Sequence, residues 1–305
     1  NASALGPSTG GGAISITAGA VLDLNGQSLT NSGTLTIRGT GIASGGALIN
    51  SSSTPASYSG LIALGAASSI VGESGTITLT NAGTISGATF GLTLGGAQGG
   101  SIASIIGTTS GTVTKQGTGT WLLSGANTYT GSTIISAGRL KVGSATALGT
   151  GAISVSDGAA LDLNGQTMTS TGTLTMTGAG ISYTGALVNS STVDATYAGL
   201  LVLTNVAIGP VYIVGDAGAI NLTNTGTIIG NTLRLGGAKG GSIASVIGTG
   251  ANGIAKYDAG TWVLTGLNTY SGITSIYGGV LSVSTLTAGN TASGIGKQTS
   301  GMPSY

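Results

Sequence analysis

GTWLLSGANTYTG, residues 119–131, returns as GTWVLTGLNTYSG at 260–272, and each copy runs on into an alternating strand, AGRLKV at 137–142 and GGVLSV at 278–283. The repetition extends far outward from this block. GGSIASIIGT at 99–108 becomes GGSIASVIGT at 240–249, again offset by 141, and IVGESGTITLTN at 70–81 becomes IVGDAGAINLTN at 213–224, offset by 143. Nearer the start, GAISI at 12–16, LDLNG at 22–26 and ALINSS at 47–52 return as GAISV at 151–155, LDLNG at 161–165 and ALVNSS at 186–191, offset by 139. Copies that absorb insertions of two to four residues and then resume register are stacking similar layers rather than building one irreplaceable site.

Between these blocks, short alternating runs recur: AISI at 13–16, VLDL at 21–24, TLTI at 34–37, TITLT at 76–80, WLLSG at 121–125 and RLKV at 139–142. Each is bounded by Gly, Asn or Ser-Gly, which supply the backbone of tight turns. No stretch repeats apolar residues at helical spacing, and 60 glycines in 305 residues oppose helix formation. The fold expected is therefore all-β. Small and β-branched inward residues, even strand spacing and few aromatics (Phe90 is the single Phe) favour a right-handed parallel β-helix, or β-solenoid, over a sandwich. Two tandem repeats of about 140 residues build it: 1–143, then 144–284 continuous with the first, with 285–305 a C-terminal tail or the start of a further coil. At about 20–25 residues per coil, each copy supplies about six coils. Asn25 and Asn164, which follow LDL in both copies, sit where a turn amide could stack along the axis.

Composition narrows the functions available. Net charge is +1 and the eight Lys and Arg are scattered, so nucleic acid is not an expected partner. The longest apolar runs, SIASII at 101–106 and GLLVL at 199–203, fall short of the ~20 residues of a membrane-spanning helix. The chain opens on Asn1 rather than Met and shows no secretory signal, so it reads as a processed or excised mature segment. Cysteine is absent, which follows either from chance in so biased a composition or from a chain that crosses an oxidising compartment unfolded.

Over 119–165, GTWLLSGANTYTGSTIISAGRLKVGSATALGTGAISVSDGAALDLNG, the chain resembles the autotransporter-associated β-strand repeat of passenger domains in bacterial autotransporters and related giant surface proteins. The second copy matches over 260–283 and then departs, because no ALGxG or LDLNG follows. At the start, LDLNG at 22–26 is preceded by ALGPSTGGG, an ALG with an insertion that contains Pro7. The resemblance implies export across the bacterial envelope and a β-helix displayed on the cell surface or outside the cell. It also supports the export reading of the missing cysteines.

Chemical machinery is sparse. Without His or Cys, an ordinary zinc or redox-metal site and a Ser-His or Cys-His pair are ruled out, and no cofactor or metal is expected. The acids recur with the repeat, Asp23 with Asp162 and Glu73 with Asp216, as structural residues do. Catalytic residues are therefore not expected. The matched rings Trp121 with Tyr129, and Trp262 with Tyr270, are candidates for stacking on sugar rings, set against a core role. The sequons at Asn50, Asn189 and Asn221 are ordinary for a chain this rich in Ser and Thr.

The ends share a phase. NASALG at 1–6 aligns with SATALG at 144–149, and GGVLSVS at 278–284 with AGRLKVG at 137–143, with no atypical capping repeat at either end. The expectation is a non-enzymatic extracellular rod whose copies stack end to end into a surface fibre, the tail 285–305 reaching into its neighbour. The alternative is an adhesin passenger holding glycan or a host surface. A third possibility is an envelope polysaccharide lyase or hydrolase.

Overall fold

The computed structural model describes residues 12–30, 33–204 and 209–297. The ALGPSTGG stretch at 4–11 and the last part of the tail, 298–305, lie outside the described residues. The chain divides into two compact units, Asn1–Ile153 and Ser154–Tyr305, and each is a parallel β-solenoid. Helix is limited, among the described residues, to two one-turn 3-10 segments, Ile42–Ser44 and Ile181–Tyr183.

In the first unit, one parallel sheet runs through Ile14–Ser15, Leu35–Gly39, Ile62–Gly72, Leu92–Gly95, Val113–Lys115 and Thr133–Ile135. A second runs through Ser28–Leu29, Ala56–Tyr58, Ile77–Leu79, Gly99–Ile102, Thr120–Leu123 and Gly138–Val142. A short third side pairs Thr84–Ile85 with Ile105–Ile106. Each coil thus lends a strand to each sheet and rests on the coil before it. Coil length varies: Leu35 is opposite Ile62, Leu92 opposite Val113, and Thr120 opposite Arg139, so insertions are taken up at corners while register is kept.

The second unit repeats this plan. One sheet carries Ala159–Asp162, Leu187–Asn189, Val211–Gly215, Leu233–Gly236, Ile254–Lys256 and Thr274–Ile276. The facing one carries Thr167–Met168, Ala195–Tyr197, Ile220–Leu222, Gly240–Ile243, Thr261–Leu264 and Val280–Val283.

Strand alternation explains the core. Strands such as Leu92–Gly95 and Val113–Lys115 bury every second residue, and Leu35, Ile37, Ile70, Leu92, Leu94, Val113 and Leu140 are wholly buried. The aromatics, read above as too few for a sandwich, lie in good part in the core. Tyr58, Trp121, Tyr129, Tyr197, Trp262 and Tyr270 are all fully buried. A solenoid accommodates them because each polar tip finds a partner: the Tyr58 hydroxyl donates to Gly33 O at 2.9 Å and that of Tyr197 to Gly172 O at 2.6 Å. Glycine also permits close coil stacking. A Cβ on Gly72 would sit 1.9 Å from Gly99 O, and one on Gly215 1.8 Å from Gly240 O.

The tail carries a correction. Although no ALGxG is spelled after residue 283, Ser293–Lys297 occupies its place. In the first unit Asn127 Nδ2 donates to Ala147 O at 2.6 Å, Thr133 Oγ1 to Leu148 O at 3.2 Å and Thr150 N to Tyr129 O at 3.1 Å. In the second, Asn268 Nδ2 donates to Gly294 O at 2.8 Å, Thr274 Oγ1 to Ile295 O at 3.2 Å and Lys297 N to Tyr270 O at 2.7 Å. SGIGK is a degenerate ATALGT, displaced by an insertion that follows Val283–Ser284. Up to Lys297, then, the tail makes the bonds that 147–150 makes in the first unit.

Candidate functional site

The rings singled out from sequence are core groups. Trp121 and Trp262 are 0 % exposed and their indole Nε1 atoms donate to Gly95 O at 2.9 Å and Gly236 O at 3.0 Å. Tyr129 and Tyr270 are equally buried, each 2.6 Å from the hydroxyl of Thr133 or Thr274. Burial raises both phenol pKa values, opposed by those hydroxyl contacts. None of the four offers a face on which a sugar could stack.

The asparagine of the same motif is also structural. Asn127 Oδ1 accepts Ile106 N at 2.7 Å while its amide reaches Ala147 O, so one side chain ties three coils. Asn268 does the same from Ile247 N to Gly294 O. Asn25 and Asn164 serve otherwise. They take positive φ, 43° and 47°, in the turn after LDL, and their N–H groups donate to Asp23 and Asp162. The bridging of coils falls to Asn50 and Asn189: Asn50 accepts Gly26 N and donates to Thr54 O and Thr76 O, and Asn189 accepts Gly165 N and donates to Val193 O and Ala219 O.

The repeated acids are tied into the frame as well. Asp23 accepts from Ser51 Oγ and from the backbone of Asn25 and Ser51. Burial pushes its carboxyl up, but these bonds outweigh that and hold it below the usual value. Asp162 accepts Ser190 Oγ at 2.6 Å. Among the described residues no group of three or more acids could hold a metal ion. Two lysines at strand ends tie backbone carbonyls together. Lys115 is 0 % exposed and its Nζ donates to Gln116 O, Gly117 O and Ala137 O at 2.7–2.9 Å. Lys256 repeats the arrangement with Tyr257 O, Asp258 O and Gly278 O.

Where the copies differ, the outer surface changes character. Both units carry a groove beside the 3-10 turn. In the first it is lined by Ser44, Val71, Glu73, Gln116 and Gly117 and encloses about 660 Å³. In the second the matching positions hold Tyr183, Val214, Asp216, Tyr257 and Asp258, with Tyr212 in place of Ser69. Tyr183, Tyr212 and Asp258 line a space of about 470 Å³. Tyr277 stands where the first copy has Ser136, and Arg234 where it has Thr93. These substitutions assemble a ladder. The Tyr212 and Tyr257 centroids are 5.9 Å apart, and Tyr257 stacks on Tyr277 at 4.7 Å. The Arg234 guanidinium lies 5.7 Å from the Tyr212 ring and 5.3 Å from that of Tyr257, a cation–π pairing on both sides. Tyr212 is held protonated by burial and by Asp258, against the pull of Arg234. Tyr183 is 78 % and Tyr277 67 % exposed. Tyr183 also keeps a backbone φ of 65°, a region that bulky residues rarely enter. Matching the copies for likeness passes over this face; the signal lay in the positions where they disagree.

A family profile, the passenger-associated-transport-repeat, matches residues 113–142 and 254–283, the stretches that hold Trp121 and Trp262 with their NTY turns. The chain is 32 % identical over 195 residues to the adhesin BmaC autotransporter of Brucella suis biovar 1 (strain 1330), an alignment covering 63 % of this chain. It spans only 4 % of that relative's length. No solved structure matches significantly. The buried Trp, Asn, Tyr and Thr of each copy are thus side chains of the matched repeat, and the chain carries two copies of a passenger-associated-transport-repeat and is similar to an autotransporter adhesin.

Proposed function

We propose that this chain is a stretch of an adhesin-type passenger, displayed on the bacterial surface, that holds a ligand without transforming it. One observation carries the reading: the motif rings are all consumed by the core, while the second unit alone adds four tyrosines and an arginine on its outside. Large rings on a soluble exterior mark recognition surfaces. Similarity to a protein named as an adhesin supports the same reading. Its test is adhesion: beads coated with the purified chain should bind epithelial monolayers well above beads coated with serum albumin. Equal binding would sink the proposal.

A second reading is end-to-end stacking of chains, favoured by the edge after Thr274–Ile276. Ile276 is 55 % exposed and Val280 52 %, whereas Ile135, the counterpart of Ile276, is wholly buried. In the first unit Thr133 N donates to Ala152 O at 2.9 Å, so Ala152 covers the start of that edge. Residues 13–16, AISI, provide a strand from a second copy. Sedimentation velocity should show concentration-dependent association, abolished by Ile276→Lys. A monomer throughout a hundredfold concentration range would rule stacking out.

A further inference from the structure

The proposed adhesin role does not say which face binds or what it holds. We propose that the tyrosine–arginine face of the second unit, formed by Tyr183, Tyr212, Arg234, Tyr257 and Tyr277, binds an extended, uncharged polysaccharide chain. The proposal rests on the adhesin reading and adds both site and ligand class.

Three observations point to a neutral glycan. First, the face is aromatic yet carries acceptors and donors close by: Asp258 and Asp216 line the groove with Tyr183 and Tyr212, and Arg234 shares its neighbouring hollow with Asp157 and Tyr183. The exposed rings of Tyr183 and Tyr277 offer apolar surface to C–H groups, and the neighbouring carboxylates can accept hydroxyl protons, which together are what a sugar requires. Second, the charge is wrong for an acidic ligand. Asp157, Asp216 and Asp258 outnumber Arg234 along these hollows, and the guanidinium is already braced between two rings. Sulfated or uronate polymers would meet net negative potential. Third, the aromatic column runs along the stacking direction: Tyr257 and Tyr277 sit on adjacent coils with centroids 4.7 Å apart, and Tyr212 and Tyr257, 5.9 Å apart, flank the coil that carries Arg234. A ligand long enough to follow this column, such as an extended sugar chain, would touch several coils at once. Three neighbouring hollows share these side chains, Tyr183 and Arg234 each lining two of them, which suits the middle of a chain better than a single sugar.

The backbone strain at Tyr183 adds an independent pointer. Its first-unit counterpart Ser44 adopts φ 62°, so the turn itself is scaffold. A bulky ring in that conformation gains nothing for folding, being 78 % exposed, and strained residues of this kind concentrate at ligand sites.

The duplication supplies the control. Each ring can be returned to the residue that the first unit uses at that position: Tyr183→Ser, Tyr212→Ser, Tyr257→Gln and Tyr277→Ser. The chain and the fourfold variant are compared on a glycan array of neutral, uronate and sulfated oligosaccharides, with circular dichroism confirming the fold. The wild-type chain should bind neutral oligosaccharides of several units, unaffected by raising salt from 0.05 to 0.5 M in the assay. The fourfold variant should bind at least tenfold more weakly with an unchanged spectrum. Binding confined to sulfated or uronate chains, or neutral binding indifferent to the four changes, overturns the proposal. Bead adhesion distinguishes the two readings. Wild-type beads that adhere while the array stays silent leave the adhesin role standing and remove the glycan; wild-type beads that fail to adhere remove the adhesin role itself.

Discussion

Asn127 shows how one side chain of the repeat motif earns its place. Buried and bonded to Ile106 N and Ala147 O, it satisfies backbone groups of two neighbouring coils that water cannot reach. Asn127→Ala should cost about 2–4 kcal/mol, since each stranded buried group costs about 1–3 kcal/mol, and urea denaturation would register it; an unchanged midpoint contradicts the role. Lys115 gives a pH signature. Burial lowers its pKa from 10.5 to about 8, so between those values the unfolded chain holds a proton that the folded chain has released. Stability should therefore rise with pH from about 8 toward 10. Above that, tyrosines whose folded pKa values are raised, Tyr129 first among them, reverse the trend. Denaturation midpoints across this range should climb in the wild type and climb less in Lys115→Met; equal slopes would contradict the lysine's part in it.

At the scale of the element, alternation made the strands legible. AISI, VLDL, TLTI, TITLT, WLLSG and RLKV all lie on strands, such as Leu35–Gly39 for TLTI and Gly138–Val142 for RLKV. Their apolar period of two has a single physical meaning when one face is buried. The bonding pattern of Ser293–Lys297 was not legible, because Gly294 and Ile295 replace the Ala and Leu of ATALG and an insertion breaks the offset. What persists is backbone geometry: Gly149 and Gly296, at φ 60° and 84°, both sit against the ring of the buried tyrosine. A chain ending at Ser284 should lose this cover over Tyr270 and Asn268. Its thermal midpoint should fall by several degrees in circular dichroism, whereas an unchanged midpoint would mean that the tail segment is ornamental. The candidate face was hidden for another reason. Tyr212, Arg234, Tyr257 and Tyr277 are scattered over 66 residues of sequence, and only coil stacking brings them into one column.

Over the whole chain, duplication separates what holds the scaffold from what is displayed on it. Positions shared by the copies (the Trp, Asn, Tyr, Thr, Lys and LDL-Asp sites) are spent on holding coils together. The positions where the second copy gains Tyr183, Tyr212, Arg234, Tyr257 and Tyr277 lie outside the core and gather into one aromatic surface. That division is the central claim, and bead adhesion measured beside urea unfolding tests it most directly. The variant Tyr183→Ser, Tyr212→Ser, Tyr257→Gln, Tyr277→Ser is predicted to keep the wild-type unfolding midpoint and to lose most adhesion. Full adhesion by that variant, at an unchanged midpoint, would contradict the claim.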